Sequence, residues 1–93
     1  MIISHKTYME GVIRTQQRLD KNIFDRINAI IELAMDDGRI SICSTVKVCD
    51  TETPGAQEWS QRIVESLIDA GWEAKVMLHP ATGDYRVEFK SLV

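Results

Sequence analysis

Twice in this chain an apolar helical stripe runs through one or two acidic residues and a single glycine into an alternating strand. The first instance is "ELAMDDGRISICSTVKV", residues 32–48, and the second is "SLIDAGWEAKVMLHPATGDYRVEFK", residues 66–90. Helical side chains return to one face every 3.6 residues and strand side chains every two. A change of period at a glycine therefore marks an element boundary. Each such unit supplies one apolar stripe and one half-buried strand, and neither is stable without the other. Together they occupy much of a 93-residue chain, so they must share a single core. Two units whose residues barely match do not make a repeat protein.

The first helix is expected over residues 4–37. Its apolar stripe is Tyr8, Val12, Leu19, Ile23, Ile27, Ile30, Ile31 and Ala34, spaced by threes and fours. Ser4 or Thr7 is placed to cap its start and Gly38 to stop it. Gly11 and the polar stretch "RTQQRLDKN" lower the helical propensity of the first half, so two helices broken near residues 20–22 are the alternative. The expected domain division follows that point, with a helical arm at 1–20 and a small α/β domain at 21–93.

In "RISICSTVKV", Ile40, Ile42, Val46 and Val48 share one face and Ser41, Cys43, Thr45 and Lys47 the other, which predicts a strand with one buried side. Thr53 and Pro54 then open a second helix, expected to reach Ala70 with Trp59, Ile63 and Leu67 on its inner stripe. After Gly71, Trp72, Ala74, Val76 and Leu78 alternate with polar neighbours. "HPATGD" makes a turn, and Tyr85, Val87 and Phe89 alternate again, completing a hairpin. The strand–helix–strand unit predicts a right-handed crossover between parallel strands, with the last strand antiparallel to the second. The expected fold is α+β, a two-layer sandwich of order α-β-α-β-β. It has a three-stranded mixed sheet with both helices on one face, and Trp72 opens the central strand.

The hydrophobic fraction of 44% and charged fraction of 27% belong to an ordered globular chain, and no apolar run reaches bilayer length. "MIISHKTYMEG" has no secretory pattern, so neither secretion nor a membrane is expected and the protein is placed inside a cell or a virion. Cys43 and Cys49, spaced C-x5-C, match neither a zinc site nor a redox pair and read as reduced thiols.

The search for chemistry returns no constellation. His5 and His79 are isolated, the carboxylates of "MDDGR" mark an acidic helix end, and the five glycines form no phosphate-binding pattern. No serine sits in a nucleophile elbow. No catalytic residue, cofactor or metal ligand is expected. The first 27 residues carry Lys6, Arg14, Arg18, Lys21 and Arg26 against Glu10, Asp20 and Asp25, a local excess of cations in a chain of net charge −3. The interleaved acids read as a solvated helix face with pairs such as Glu10 and Arg14, and nucleic acid is not the expected partner.

Two surfaces are left as candidates for protein contact. One is the arm, with Tyr8, Met9, Val12, Ile13, Arg14 and Arg18. A long helix whose first half lacks core partners is marginal alone, so these side chains call for a partner or a second copy. The other is the outer sheet face, with Cys43, Thr45, Lys75 and Met77 among its mixed charges.

The pattern "INAIIELAMDDGRISICS…VESLIDAGWEAKVMLHPATGDYRVEF" resembles small α/β modules of tailed-phage proteins. The matching parts are Ile27-Asn28, Gly38, Ile40 to Ile42, Leu67, Ala70-Gly71-Trp72 and the strand from Tyr85 to Phe89. The resemblance covers about residues 23–90 and leaves the arm outside. It implies a phage origin and a virion or virion-assembly role, and it carries over no functional site. The combined expectation is a non-enzymatic interaction module, an accessory or structural part of a phage particle that forms a homo-oligomer. A phage-encoded regulator of a host protein, or a weak nucleic-acid binder using the basic arm, is the alternative.

Overall fold

The chain was described through a computed structural model in which residues 1–91 are placed. The last two residues of the expected 21–93 domain lie outside them. The elements are α1 (His5–Asp36), β1 (Cys43–Asp50), α2 (Ala56–Asp69), β2 (Glu73–His79) and β3 (Asp84–Lys90), an α+β fold in the expected order.

The recurring glycine unit is one hydrogen-bonded motif made twice. At the end of α1 the Arg39 amide donates to the Ala34 carbonyl at 2.9 Å and the Gly38 amide to Met35 at 3.0 Å. After α2 the Trp72 amide donates to Leu67 at 3.0 Å and the Gly71 amide to Ile68 at 2.9 Å. This is the Schellman arrangement, which satisfies orphan helix carbonyls and needs a left-handed residue after the cap. Gly38 at φ +69° and Gly71 at φ +92° supply it.

The two copies diverge beyond the glycine. Trp72 leads directly into β2, and its ring meets Phe89 edge-on at 5.9 Å. Arg39 is polar and takes no such anchor, so the chain runs on before β1 begins at Cys43. Ile40, expected on the buried face, is 83% exposed and outside the strand.

The sheet corrects the mixed topology. Its order is β1-β3-β2, and both pairings are antiparallel. β1 and β2 point the same way but do not touch as neighbours; β3 lies between them. Burial explains the choice. Val87 and Phe89 of β3 are wholly enclosed, whereas β2 has no fully buried residue. The strand with the most to bury takes the centre, so Trp72 precedes an edge strand and not the central one. A four-residue hairpin loop, closed by the Gly83 amide on the His79 carbonyl at 2.8 Å, returns β3 against β2.

One core cluster joins Ile23 and Ile27 of α1, Trp59, Ile63, Val64 and Leu67 of α2, and Val46, Val87 and Phe89 of the sheet. α2 lies over β2 and β3, and α1 lies over β1. Helix α2 opens later than expected, at Ala56 behind Gly55 at φ +67°, without a side-chain cap. Residues 51–55 form turns in which Thr53 donates its amide to the Asp50 carbonyl at 3.1 Å, so Thr53 caps nothing.

Helix α1 is continuous for 32 residues, capped by Ser4, whose hydroxyl accepts from the Thr7 amide at 3.2 Å. There is no break near residues 20–22. Its first fully buried residue is Ile23. The preceding residues extend past the sheet, and the molecule measures 57 × 26 × 19 Å.

Candidate functional site

The overhang of α1 is anchored where it leaves the core. The Trp59 indole N–H donates to an Asp20 carboxylate oxygen, and the other oxygen of that carboxylate faces the Arg62 guanidinium at 3.8 Å. One turn earlier the Gln16 amide donates to the Pro54 carbonyl at 2.8 Å. Beyond these ties the arm stands off the body, and a cleft of about 760 Å³ opens beneath it.

The arm contributes one wall of the cleft: Tyr8, Val12, Thr15 and Leu19, spaced four, three and four, so that they form one line on the helix. The opposite wall is Val48, Cys49 and Trp59, with Lys47, Asp50 and Thr53 at the rim. Lys47 and Asp50 pair with each other at 3.0 Å. A smaller groove of about 300 Å³ on the other flank of the arm takes in Met9, Ile13, Pro54 and Glu58.

A β-bulge makes the far wall. The register of β1 on β3 runs Val46 with Val87 and Lys47 with Arg86, then skips to Cys49 with Tyr85. Val48 is the extra residue. Strict alternation would send Cys49 outward after Val48 inward. The bulge instead buries both, at 8% exposure each. Burial pushes the Cys49 thiol up from its ordinary value, with help from the Asp50 charge. Hydrogen bonds with Thr53 and Ser60 and the charge of Lys47 oppose this without reversing it. A thiol held protonated is a poor nucleophile.

Of the residues expected to meet a partner, Tyr8 and Val12 line the large cleft and Met9, Val12 and Ile13 the smaller groove. Arg14 and Arg18 are exposed on the arm. Cys43, Thr45, Lys75 and Met77 are elsewhere, on the outer sheet face. There Thr45, Glu88 and Lys75 form one cross-strand row, and Lys47, Arg86 and Met77 the next. The two expected surfaces are thus separate. The outer face is partly self-satisfied, with Lys75 3.8 Å from Glu88 and Lys90 3.8 Å from Glu73.

Val48, Cys49, Trp59 and Leu19 are not among the residues that the sequence marks for a site. Leu19 was visible as part of the stripe. The far wall depends on the bulge, which has no signature in "TVKVCD".

Among the described residues no three His, Cys, Asp or Glu side chains are grouped to hold a metal. The cleft offers an apolar surface with a few rim charges, which suits docking of another apolar surface. No protein-family model, curated protein or solved structure matches the chain. No helix among the described residues is long and apolar enough to cross a membrane.

Proposed function

We propose that this chain is a non-enzymatic protein-interaction module that docks through its helical arm and the cleft beneath it. The observation that carries this reading is the arm itself: residues 5–22 are helical, include no fully buried side chain, and line an apolar cleft. An isolated helix of that length is marginal in water, and its apolar line is uncovered on one side. A partner that covers it recovers both terms. The fold is read as a two-layer sandwich with both helices on one sheet face, a reading supported by the single core cluster.

The resemblance to tailed-phage modules extends the proposal: the larger assembly is a phage particle, and the chain is an accessory or structural component of it. Mass spectrometry of purified particles tests this. Stoichiometric copies in the particle are expected. Presence in infected cells with absence from particles replaces the virion role with regulation of a host protein.

A further inference from the structure

We propose that two copies of this chain join through the free edge of β2, antiparallel about a two-fold axis at Val76, so that the two sheets become one. This surface is apart from the arm and its cleft, and the inference goes beyond the docking reading above. Three observations support it.

The first is an open, regular edge. β2 ends the sheet, and among the described residues no strand pairs with its far side. All of β2, from Glu73 to His79, pairs with β3 without a shift in register. The other edge strand, β1, is interrupted by the Val48 bulge, and the Arg26 guanidinium donates to its Lys47 carbonyl at 3.1 Å. Bulges and covered backbone groups are how an edge is kept from pairing, so β1 is guarded and β2 is the edge that remains.

The second is the register. The Ser91 amide donates to the Ile42 carbonyl at 3.0 Å and the Thr51 amide to the Gly83 carbonyl at 2.9 Å, so the odd-numbered residues around β3 turn their backbone groups toward β1. Backbone groups alternate in direction along an antiparallel strand. The even-numbered residues of β3 therefore bond Glu73, Lys75, Met77 and His79 of β2. Ala74, Val76 and Leu78 are left with amides and carbonyls that face outward. Val76 is the midpoint of β2, so a two-fold axis there pairs the whole strand with its copy. That register sets Ala74 against Leu78, Lys75 against Met77 and Glu73 against His79. No two like charges oppose, whereas an axis at Lys75 would set lysine against lysine. A two-fold contact needs a self-complementary patch, and this strand is one.

The third is a pair of uncovered apolar side chains. Leu78 shares the covered face of the sheet with Ala74 and Val76, yet it is 52% exposed. Ile68 of α2 is 51% exposed. Ser66 and Ala70 line a groove with Phe24 and Ile31 of α1. Ile68 lies two residues from each, about 200° around the helix, and so on the flank away from α1. Because α1 lies over β1 and α2 over β2 and β3, that flank overlooks the edge of β2. α2 ends where β2 begins, which puts Ile68 at the Ala74 end of the strand. The register brings Leu78 of the second copy to that end. Each copy thus supplies the apolar cover that the other lacks, at two places related by the axis.

Sedimentation of the full chain from low micromolar to millimolar concentration is the test, and a dimer is expected. Val76→Pro assigns the surface. It removes an amide that faces away from β3, a change that edge strands tolerate, and it takes the central bond from the axis. The variant should keep the circular dichroism of the parent and lose the dimer. Lys75→Cys with Met77→Cys, made together with Cys43→Ser, then checks the register. Residues 75 and 77 of opposite copies form a non-hydrogen-bonded pair with Cα atoms about 4.5 Å apart, within disulfide reach. Mild oxidation should join two chains covalently, and this result decides the question if Val76→Pro fails to fold. A parent chain that is monomeric throughout overturns the proposal, as does a dimer that folded Val76→Pro leaves intact or a cysteine variant that does not cross-link.

Discussion

Asp84 sets a pH dependence that its position in the sequence does not suggest. It opens β3 and is almost wholly buried. Burial by itself would raise its carboxyl. The Thr82 hydroxyl at 3.0 Å and the Arg86 guanidinium at 3.4 Å donate to it, the charges of Arg86 and Lys47 add to this, and the net result is a carboxyl held below its ordinary value of 3.8. A carboxylate whose folded value is depressed stabilises the fold above its unfolded value and loses that contribution as pH falls through the folded one. Asp84→Asn should therefore be less stable than the parent at neutral pH. The gap should close as pH drops below 3.8, read by urea denaturation at successive pH values. A gap independent of pH would mean that the side chain acts through packing alone. The two cysteines give a second residue-scale expectation. Cys43 is exposed and Cys49 is buried with a raised thiol. Iodoacetamide should label Cys43 first and reach Cys49 only under denaturant, as peptide mass spectrometry would record. The outward Cys43 followed from alternation. The inward Cys49 did not, because a bulge depends on two strands and one strand's sequence cannot show it.

At the level of elements, local signals were legible and partner choices were not. Both Schellman stops were readable from glycine at the end of a stripe, and the hairpin from Pro80 and Gly83. The position of β3 was not, because it depends on comparing the burial of Val87 and Phe89 with that of β2 across the whole sheet. Thr53-Pro54 resembled a helix start, but the chain turns there and begins α2 at Ala56, since the Asp50 carbonyl accepts the Thr53 amide instead. The C-terminus of α1 holds an unfavourable pairing of charge and dipole. Asp36 and Asp37 sit at the negative end of the helix dipole, and no basic residue lies in the last turn. Asp37 has Arg39 at 3.9 Å, whereas Asp36 is exposed and has no ion-pair partner among the described residues. Replacing a negative with a positive charge there should stabilise by about 0.3–1 kcal/mol at low salt. Asp36→Lys is expected to raise the free energy of unfolding in urea by that amount, and the gain should shrink as salt is added. A loss of stability would mean that Asp36 makes a favourable contact in the folded protein.

The shape of the whole molecule follows from one helix outrunning its core. The radius of gyration is 15.2 Å, against roughly 12 Å for a compact chain of this length. The excess comes from the arm, since every member of the core cluster lies at Ile23 or beyond. The Asp20 contacts to Trp59 and Arg62 hold the helix at the edge of that core. A chain starting at Asp20 keeps these ties and the entire cluster, so it should fold, with a monomer radius near the roughly 11 Å of a compact chain its size. Its melting temperature should rise with concentration as that of the full chain does, because both keep the edge of β2 and association through the folded state stabilises by mass action. X-ray scattering and melting over a hundredfold dilution, on both chains, would check the pair of expectations. If the shortened chain unfolds, the arm contributes to the core through Val12, Gln16 and Leu19 more than their exposure indicates. In that case the cleft is part of the fold and its occupant is the arm it already has.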